Sequence, residues 1–441
     1  MCMEGVSVAD ILLIQPPLSP PMSDYVQDLV LTPPLGLCYI AAFLNGDYEV
    51  SILDSSILNL DDESIEGRIK RENPKVVGLT ATTHTYKKAL RIAFMAKRCN
   101  KEIFTVIGGP HVTFRAEEAA SNPHIDFVVR HEGEVTMRKL ADLLIRGEGC
   151  LADVNGITYR KNGRVYSNPP QQFIEDLDSL PYPRRDLTPI NMYKVPASII
   201  TSRGCPSRCI FCAAGAMSGH RYRIRSPDNI IGEVKLIMEE ISPKFLFIAD
   251  DTFTIFPERV RAITRRLKEL GVRWICESRA NSVTWEIIEE LASSGCFVLQ
   301  FGVESGSQKI LDSIRKGITI DQVRRAVNWC IKAGIVPVCS FMVPHPEDDW
   351  DTVRETEKLM NELKDLGAQI YVSFTTPFPG TNLYEKAEKF GVEFLSDDTD
   401  DYNLATPVIR TRNLTAENVE EIFDRYMKIA QETIPFEKLV D

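Results

Sequence analysis

The chain has 441 residues, of which 44% are hydrophobic, 8% aromatic and 26% charged, with 25 Gly and 26 Pro. This balance excludes wholesale disorder, collagen and a continuous coiled coil. Lys and Arg number 51 against 62 Asp and Glu, a formal charge of −11, which excludes a broad nucleic-acid or anionic-membrane footprint. The longest apolar run, residues 35–44, is about half a membrane span. With no charged-then-apolar leader, a soluble cytoplasmic protein of two or three domains is expected.

Residues 1–150 alternate short apolar runs with amphipathic stretches. Strands are predicted at residues 11–14, 50–54, 76–79, 103–108 and 125–129. Helices lie between them, such as 86–99, where Ala89, Ile92, Ala93 and Ala96 share a face, and 137–145, where Leu140, Leu143 and Leu144 do. Five βα units predict a doubly wound parallel, Rossmann-like sheet. Within 151–195, residues 157–166 read as a hairpin about Asn162-Gly163 and the Pro-bearing remainder as a surface linker. A second alternation fills 196–390, with strands at 198–201, 245–249, 274–277, 298–302, 336–341 and 370–374. The helices between them carry Ile230, Val234, Ile237 and Ile241, then Val260, Ile263, Leu267 and Leu270, at three-to-four spacing. Six such units predict a partial TIM-type (βα)6 barrel with its site at the carboxyl ends of the strands. Residues 391–441 form a short closing segment, helical over 414–427.

Eleven Cys is an odd number and points to a reducing compartment, not a disulfide framework. Cys2, Cys38, Cys99, Cys150, Cys276, Cys296, Cys330 and Cys339 stand singly in apolar surroundings and read as small hydrophobes. Cys205-Pro-Ser-Arg-Cys209-Ile-Phe-Cys212, by contrast, follows the first barrel strand, where a loop delivers ligands into the barrel mouth. Three thiolates supply three corners of a tetrahedral or cubane site. One reading is structural zinc with His220 as fourth ligand; the other is a cubane whose fourth iron stays open to substrate.

With its flanks, Thr201-Ser-Arg-Gly before Cys205 and Phe211 ahead of the third Cys, the segment resembles the radical S-adenosylmethionine (SAM) signature. The resemblance implies a 4Fe-4S cluster on Cys205, Cys209 and Cys212, with SAM chelated by the open iron and cleaved to a 5′-deoxyadenosyl radical. Ile248-Ala249-Asp250-Asp251-Thr252-Phe253 is similar to the motif that holds the SAM amino group, an Asp N-cap pair being the plain alternative. Ser278-Arg279-Ala280-Asn281 resembles a segment whose Arg approaches SAM, and in Gly302-Val303-Glu304-Ser305-Gly306-Ser307 the resemblance makes Glu304 the ribose-contacting acid. Strand alternation independently puts Glu277 with Arg279, and Gln300 with Glu304, on shared faces. The plain alternative there is a buried Arg279 to Glu304 ion pair. Residues 376–381 read first as a Pro-Gly turn, Tyr371 and Ser373 share a strand face expected to line the pocket, and Pro344 stands where relatives carry Gly.

Gly108-Gly109 ends the fourth N-terminal strand and lets a ligand approach the backbone. With Pro33-Pro34-Leu35-Gly36, Thr80-Ala81-Thr82-Thr83 and Glu132-Gly133-Glu134, all on the carboxyl edge of the sheet, it resembles the cobalamin-binding domain of one radical SAM branch. The resemblance implies cobalamin contacts from Pro34, Leu35, Thr80, Thr82, Thr83, Gly108, Gly109, His111, Glu132, Gly133 and Glu134. The Asp-x-His-x-x-Gly motif of His-ligated cobalamin is matched only at His111, so His111 is expected to orient its loop or touch a cobalamin side chain, a cobalt ligand being the alternative. His131 occupies a position where relatives often carry Gly.

The resemblance spans residues 10–390 and implies a cobalamin-dependent radical SAM methyltransferase. In such enzymes an unactivated carbon loses hydrogen to the radical and takes a methyl group from methylcobalamin. The alternative within the family is rearrangement or oxidative cyclisation of a small molecule or lipid. Implied partners are a peptide, protein or small-molecule methyl acceptor, methyl-coenzyme M reductase among the candidates, and an external electron donor such as ferredoxin or flavodoxin. A corrinoid- or zinc-binding protein without radical chemistry is the rival of another class; it predicts zinc for iron and tolerance of change at Asp250, Arg279 and Glu304.

Overall fold

The computed structural model describes residues 9–18 and 32–434, in two compact units, the first reaching Pro196 and the second beginning at Ala197. Cys2 and residues 435–441 of the expected closing segment lie outside the described residues.

In the first unit β1 (Ile11–Gln15), β2 (Val50–Asp54), β3 (Val76–Thr80), β4 (Phe104–Gly108) and β5 (Phe127–Val129) run parallel. The hairpin strands β6 (Ile157–Lys161) and β7 (Arg164–Ser167) extend the same sheet antiparallel, in the order β2-β1-β3-β4-β5-β6-β7. Strand β1 shows why both faces are covered. Ile11 to Ile14 are all at most 1% exposed; Leu12 and Ile14 join one core with Ile65 and Ile92, while Ile11 and Leu13 join another with Leu37 and Leu140. A continuous apolar run is what a parallel strand between two helical layers requires. The hairpin turn has Asn162 at φ +51° and Gly163 at φ +75°, the left-handed pair that a two-residue hairpin of matching twist demands. Periodicity placed a helix at 137–145; it begins earlier, at Glu134–Ala141, and continues as a π turn over Asp142–Arg146.

The second unit opens with β8 (Ser198–Ile199) and the short antiparallel pair β9 (Ser202–Arg203) and β10 (Arg223–Ile224). β11 (Leu246–Ile248), β12 (Trp274–Ser278), β13 (Cys296–Glu304), β14 (Val336–Val343) and β15 (Gln369–Phe374) follow. Six strands lie parallel in the order β15-β14-β13-β12-β11-β8, so the sheet stays open between β15 and β8. Helices cross between them; Ile320–Ala333, for example, starts in a Thr319/Gln322 capping box and stops at left-handed Gly334, a cap contributing about 1 kcal/mol. A further antiparallel pair, β16 (Val392–Phe394) and β17 (Ile409–Thr411), precedes the closing helix Ala416–Gln431. That helix stacks Phe423 on Phe374 of β15, ring centroids 3.9 Å apart. No helix among the described residues is long and apolar enough to cross a membrane.

Candidate active site and ligand-binding edge

The carboxyl ends of the barrel strands enclose a cavity of about 360 Å³. Cys205, Cys209, Phe211 and Cys212 line one wall, with Cys205 buried, Cys209 half-buried and Cys212 exposed. The loop that carries them is fixed at its apolar middle. Ile210 is buried, its N–H donates to the Ile314 carbonyl (3.1 Å) and its carbonyl accepts from Leu383 N–H (2.8 Å).

The adjacent aspartates are placed differently. Asp250 accepts from Thr201 N (2.6 Å), Ser202 N (3.0 Å), Ser202 Oγ (2.6 Å) and Thr201 Oγ1, with the Arg259 guanidinium 3.7 Å away. At 1% exposure it braces the chain leading to Cys205, and Asp251 is the one that lines the cavity. Burial, and then the charge of Asp250, raises the Asp251 carboxyl to about 6. On the neighbouring strand β12, burial first and then the charge of Asp251, against the pull of Lys316, raises cavity-facing Glu277 to about 7. Such acids can change protonation near neutrality.

Glu304 does not pair with Arg279. It accepts from Lys316 Nζ at 2.6 Å, both side chains being buried. The pair occupies space that only glycine leaves: a Cβ at Gly302 would stand 2.5 Å from Glu304 Oε1 and 2.6 Å from Lys316 Nζ. Glu304 itself has φ +72°, a strained conformation for a non-glycine residue, and its carbonyl lies 3.2 Å from His345 Nε2. Arg279 turns instead to the Lys316 carbonyl through Nη2 and to Cys209 Sγ through Nη1, at 3.7 Å. Ser278 also lines the cavity and shares its hydroxyl with Thr254 and Ser282. Tyr371 and Ser373, paired by parity, do face the cavity, as do Gln300, Thr376 and Phe378. Lys316 is the residue that sequence reading passed over.

His220 Nδ1 lies 3.1 Å from the Ser207 carbonyl, bracing the cysteine loop. Among the described residues no three His, Cys, Asp or Glu side chains are gathered to hold a single metal ion. Three thiols spread along a cavity wall with a fourth corner open fit a cubane, whose sulfur ligands sit on separate irons, better than tetrahedral zinc. Acids and Lys316 in the same cavity suit SAM, which carries an ammonium, a sulfonium and a carboxylate.

In the first unit the order reverses between β1 and β3, the point at which doubly wound sheets bind ligands beyond their carboxyl ends. Thr80 ends β3, Thr82 and Thr83 follow it, and Gly108 ends β4. Gly109 has φ +105°, and a Cβ there would meet the Ala81 carbonyl at 2.7 Å. His111 is buried, its ring tilted against Tyr86 with centroids 4.2 Å apart and its Nδ1 3.2 Å from Thr83 Oγ1. Burial lowers its imidazole to about 4, and its buried Nε2 has no hydrogen-bond partner among the described residues. Pro34 precedes the helix Leu35–Leu44, whose Leu35 is buried. Glu132 accepts from Ile174 N–H (2.8 Å), and Gly133 caps the helix that starts at buried Glu134. Hydroxyls, close-approach glycine backbone and an orphaned imidazole nitrogen fit a large ring with polar side chains such as cobalamin.

Comparison with known proteins agrees with both units. The profile described as the Radical SAM superfamily matches residues 199–360, and that of the B12 binding domain matches residues 29–141. An uncharacterized methyltransferase of Pyrococcus horikoshii is 35% identical over 424 residues, 95% of this chain and 91% of that protein. The anaerobic magnesium-protoporphyrin IX monomethyl ester cyclase of Rubrivivax gelatinosus is 30% identical over 413 residues, 90% of this chain and 72% of that one. Among solved structures, the radical SAM methyltransferase TsrM of Kitasatospora setae superposes with a TM-score of 0.76 at 17% identity, covering 94% of this chain and 90% of that one.

Proposed function

The chain belongs to the cobalamin-dependent radical SAM methyltransferase family, an enzyme using SAM, a 4Fe-4S cluster and cobalamin, and we propose that it moves a methyl group from methylcobalamin to an unactivated carbon after hydrogen abstraction. The observation that carries this reading is the one cavity lined by Cys205, Cys209 and Cys212 together with Asp251, Glu277, Arg279, Glu304 and Lys316. When bound, the cluster and SAM supply the hydrogen-abstracting chemistry and methylcobalamin the methyl group.

The protein's share is positioning, charge placement and exclusion of water. We assign Cys205, Cys209 and Cys212 to the cluster and Phe211 to the wall beside it. Lys316 is the cation for the SAM carboxylate, Asp251 and Glu277 the acids for its ammonium, and Glu304, held by Lys316, the acceptor for ribose hydroxyls. Ser278 completes that wall. Asp250 acts through the Thr201-Ser202 backbone, fixing the approach to the cluster loop. Thr80, Thr82, Thr83, Gly108, Gly109 and His111, with Pro34, Leu35, Glu132, Gly133 and Glu134 around them, form the cobalamin edge. The electron comes from an external donor such as ferredoxin or flavodoxin in the reducing cytoplasm.

The similarity to a cyclase supports oxidative cyclisation as the second reading, and one experiment separates the two. The protein is reconstituted without oxygen with iron, sulfide and hydroxocobalamin, then reduced with SAM carrying a deuterated methyl group. Acceptors are tried in the order peptides and proteins, methyl-coenzyme M reductase among them, then small molecules. Deuterated methyl in product together with deoxyadenosine supports methyl transfer; deoxyadenosine with unlabelled, oxidised product supports cyclisation; bound zinc with no SAM cleavage overturns both.

A further inference from the structure

The Arg279 guanidinium is held like a fork. One nitrogen donates to the Lys316 carbonyl and the other points at Cys209 Sγ from 3.7 Å, within reach for a sulfur acceptor. The mount is rigid: Lys316 N–H donates to Leu311 O (2.9 Å), its Nζ is fixed on Glu304, and Asn281 Nδ2 donates to Gly317 O (2.8 Å). Among the described residues no carboxylate forms an ion pair with Arg279, and Glu304, the partner expected of it as an ion pair, is taken by Lys316. A guanidinium never loses its proton in a protein. Its charge beside this cavity therefore calls for an anion, and besides the neutral Lys316 carbonyl the group it is aimed at is a sulfur.

We infer that Arg279 raises the reduction potential of the cluster by donating a charged hydrogen bond to the Cys209 thiolate, an inference that rests on the assignment of Cys209 to the cluster. The reduced cluster carries one more negative charge than the oxidised one, so a fixed cation at a ligand sulfur stabilises the reduced form more. Hydrogen bonds to cluster sulfurs are among the factors that set such potentials, and the low-dielectric wall strengthens each of them. No bond is made or broken at Arg279; the electron still comes from the external donor, which delivers it more readily. Arg279 acts through Cys209 and is a positioning residue.

The test is a reductive titration of the reconstituted full-length protein, followed by electron paramagnetic resonance (EPR) and run without SAM, so that any contact between Arg279 and SAM is silent. R279Q shifts the midpoint downward at unchanged iron and sulfide content, and R279K, which keeps the charge but loses the fork, falls between R279Q and the parent protein. A midpoint for R279Q equal to that of the parent overturns the inference while leaving the family reading intact. Where R279Q fails to hold its cluster, the parent protein labelled with 15N-arginine decides: electron spin echo modulation from 15N on the reduced cluster supports the contact, and its absence overturns it. Failure of the parent protein to assemble any iron-sulfur cluster overturns this inference and the family reading together.

Discussion

The cavity of the second unit gathers five ionisable side chains, Asp251, Glu277, Arg279, Glu304 and Lys316, around three thiols. The sheet edge of the first presents Thr80, Thr82, Thr83, two glycines and an imidazole that burial keeps neutral, with Glu132 and Glu134 as the acids beside them. The contrast follows from what each surface has to hold. A charged cofactor that must be cleaved needs fixed ions already aimed at it, because dipoles that reorient during the reaction stabilise less. A large ring held by its faces and rim needs space, hydroxyls and exposed backbone.

Removing the thiols tests that division most severely. Each of C205A, C209A and C212A is expected to bring bound iron and deoxyadenosine formation to background while leaving cobalamin binding to the N-terminal unit near the parent level. Iron analysis, product chromatography and the visible spectrum of bound corrinoid report the three quantities separately. Loss of corrinoid in all three variants would break the comparison, since it would make the sheet edge dependent on the charged cavity.

The next effect comes from the buried pair. Breaking it on one side strands a charge, so K316M and E304Q are each expected to lower unfolding stability by about 3–5 kcal/mol, whereas the double variant loses less than the two together. Denaturant unfolding of all four proteins closes the cycle. Simple additivity would show that Lys316 and Glu304 do not act as a pair.

Glu277 sharpens the comparison through pH. Its carboxyl titrates near 7 when folded against an ordinary value of 4.5, so between those values the folded protein holds the proton more tightly than the unfolded chain. Stability from Glu277 is thus present at low pH and is lost as pH rises toward 7. E277Q cannot ionise. Thermal unfolding of the cofactor-free protein from pH 5 to 8 is expected to fall less steeply for E277Q, with a gain at pH 8 of at most about 3 kcal/mol. Parallel curves for the two proteins would remove Glu277 from the site's electrostatics.

The barrel strands were legible because each is an apolar run bounded by turns and lies within a few residues of its predicted span; β13, read as 298–302, runs over Cys296–Glu304. The cysteine loop was legible because its chemistry is contiguous in sequence. Lys316 was not, because it meets Glu304 only after a helix, Gln308–Ser313, folds the chain back. Asp250 and Asp251 are neighbours that face opposite ways, which parity implies for an extended segment, yet the pair was read together as one motif. β16 and β17 are three residues each and mix charged with apolar side chains, too short for any period to show.

The smallest effect expected is at His111. Its Nδ1 is engaged by Thr83 and its ring by Tyr86, so the imidazole is held in place by its own loop, and Nε2, without a partner among the described residues, is left for a ligand. With its pKa lowered to about 4, it is neutral throughout pH 5 to 8, and cobalamin affinity is expected to show no inflection from His111 in that range. Replacing it by Phe keeps the ring contact with Tyr86 and removes one hydrogen bond, about 1 kcal/mol or roughly a fivefold weaker affinity. The EPR spectrum of the cobalt(II) form should be the same in H111F and the parent protein, with no nitrogen splitting from a protein ligand in either. Splitting present in the parent and absent in H111F, with affinity reduced a hundredfold or more, would make His111 a cobalt ligand and would turn an edge that only contacts the ring into a coordinating one.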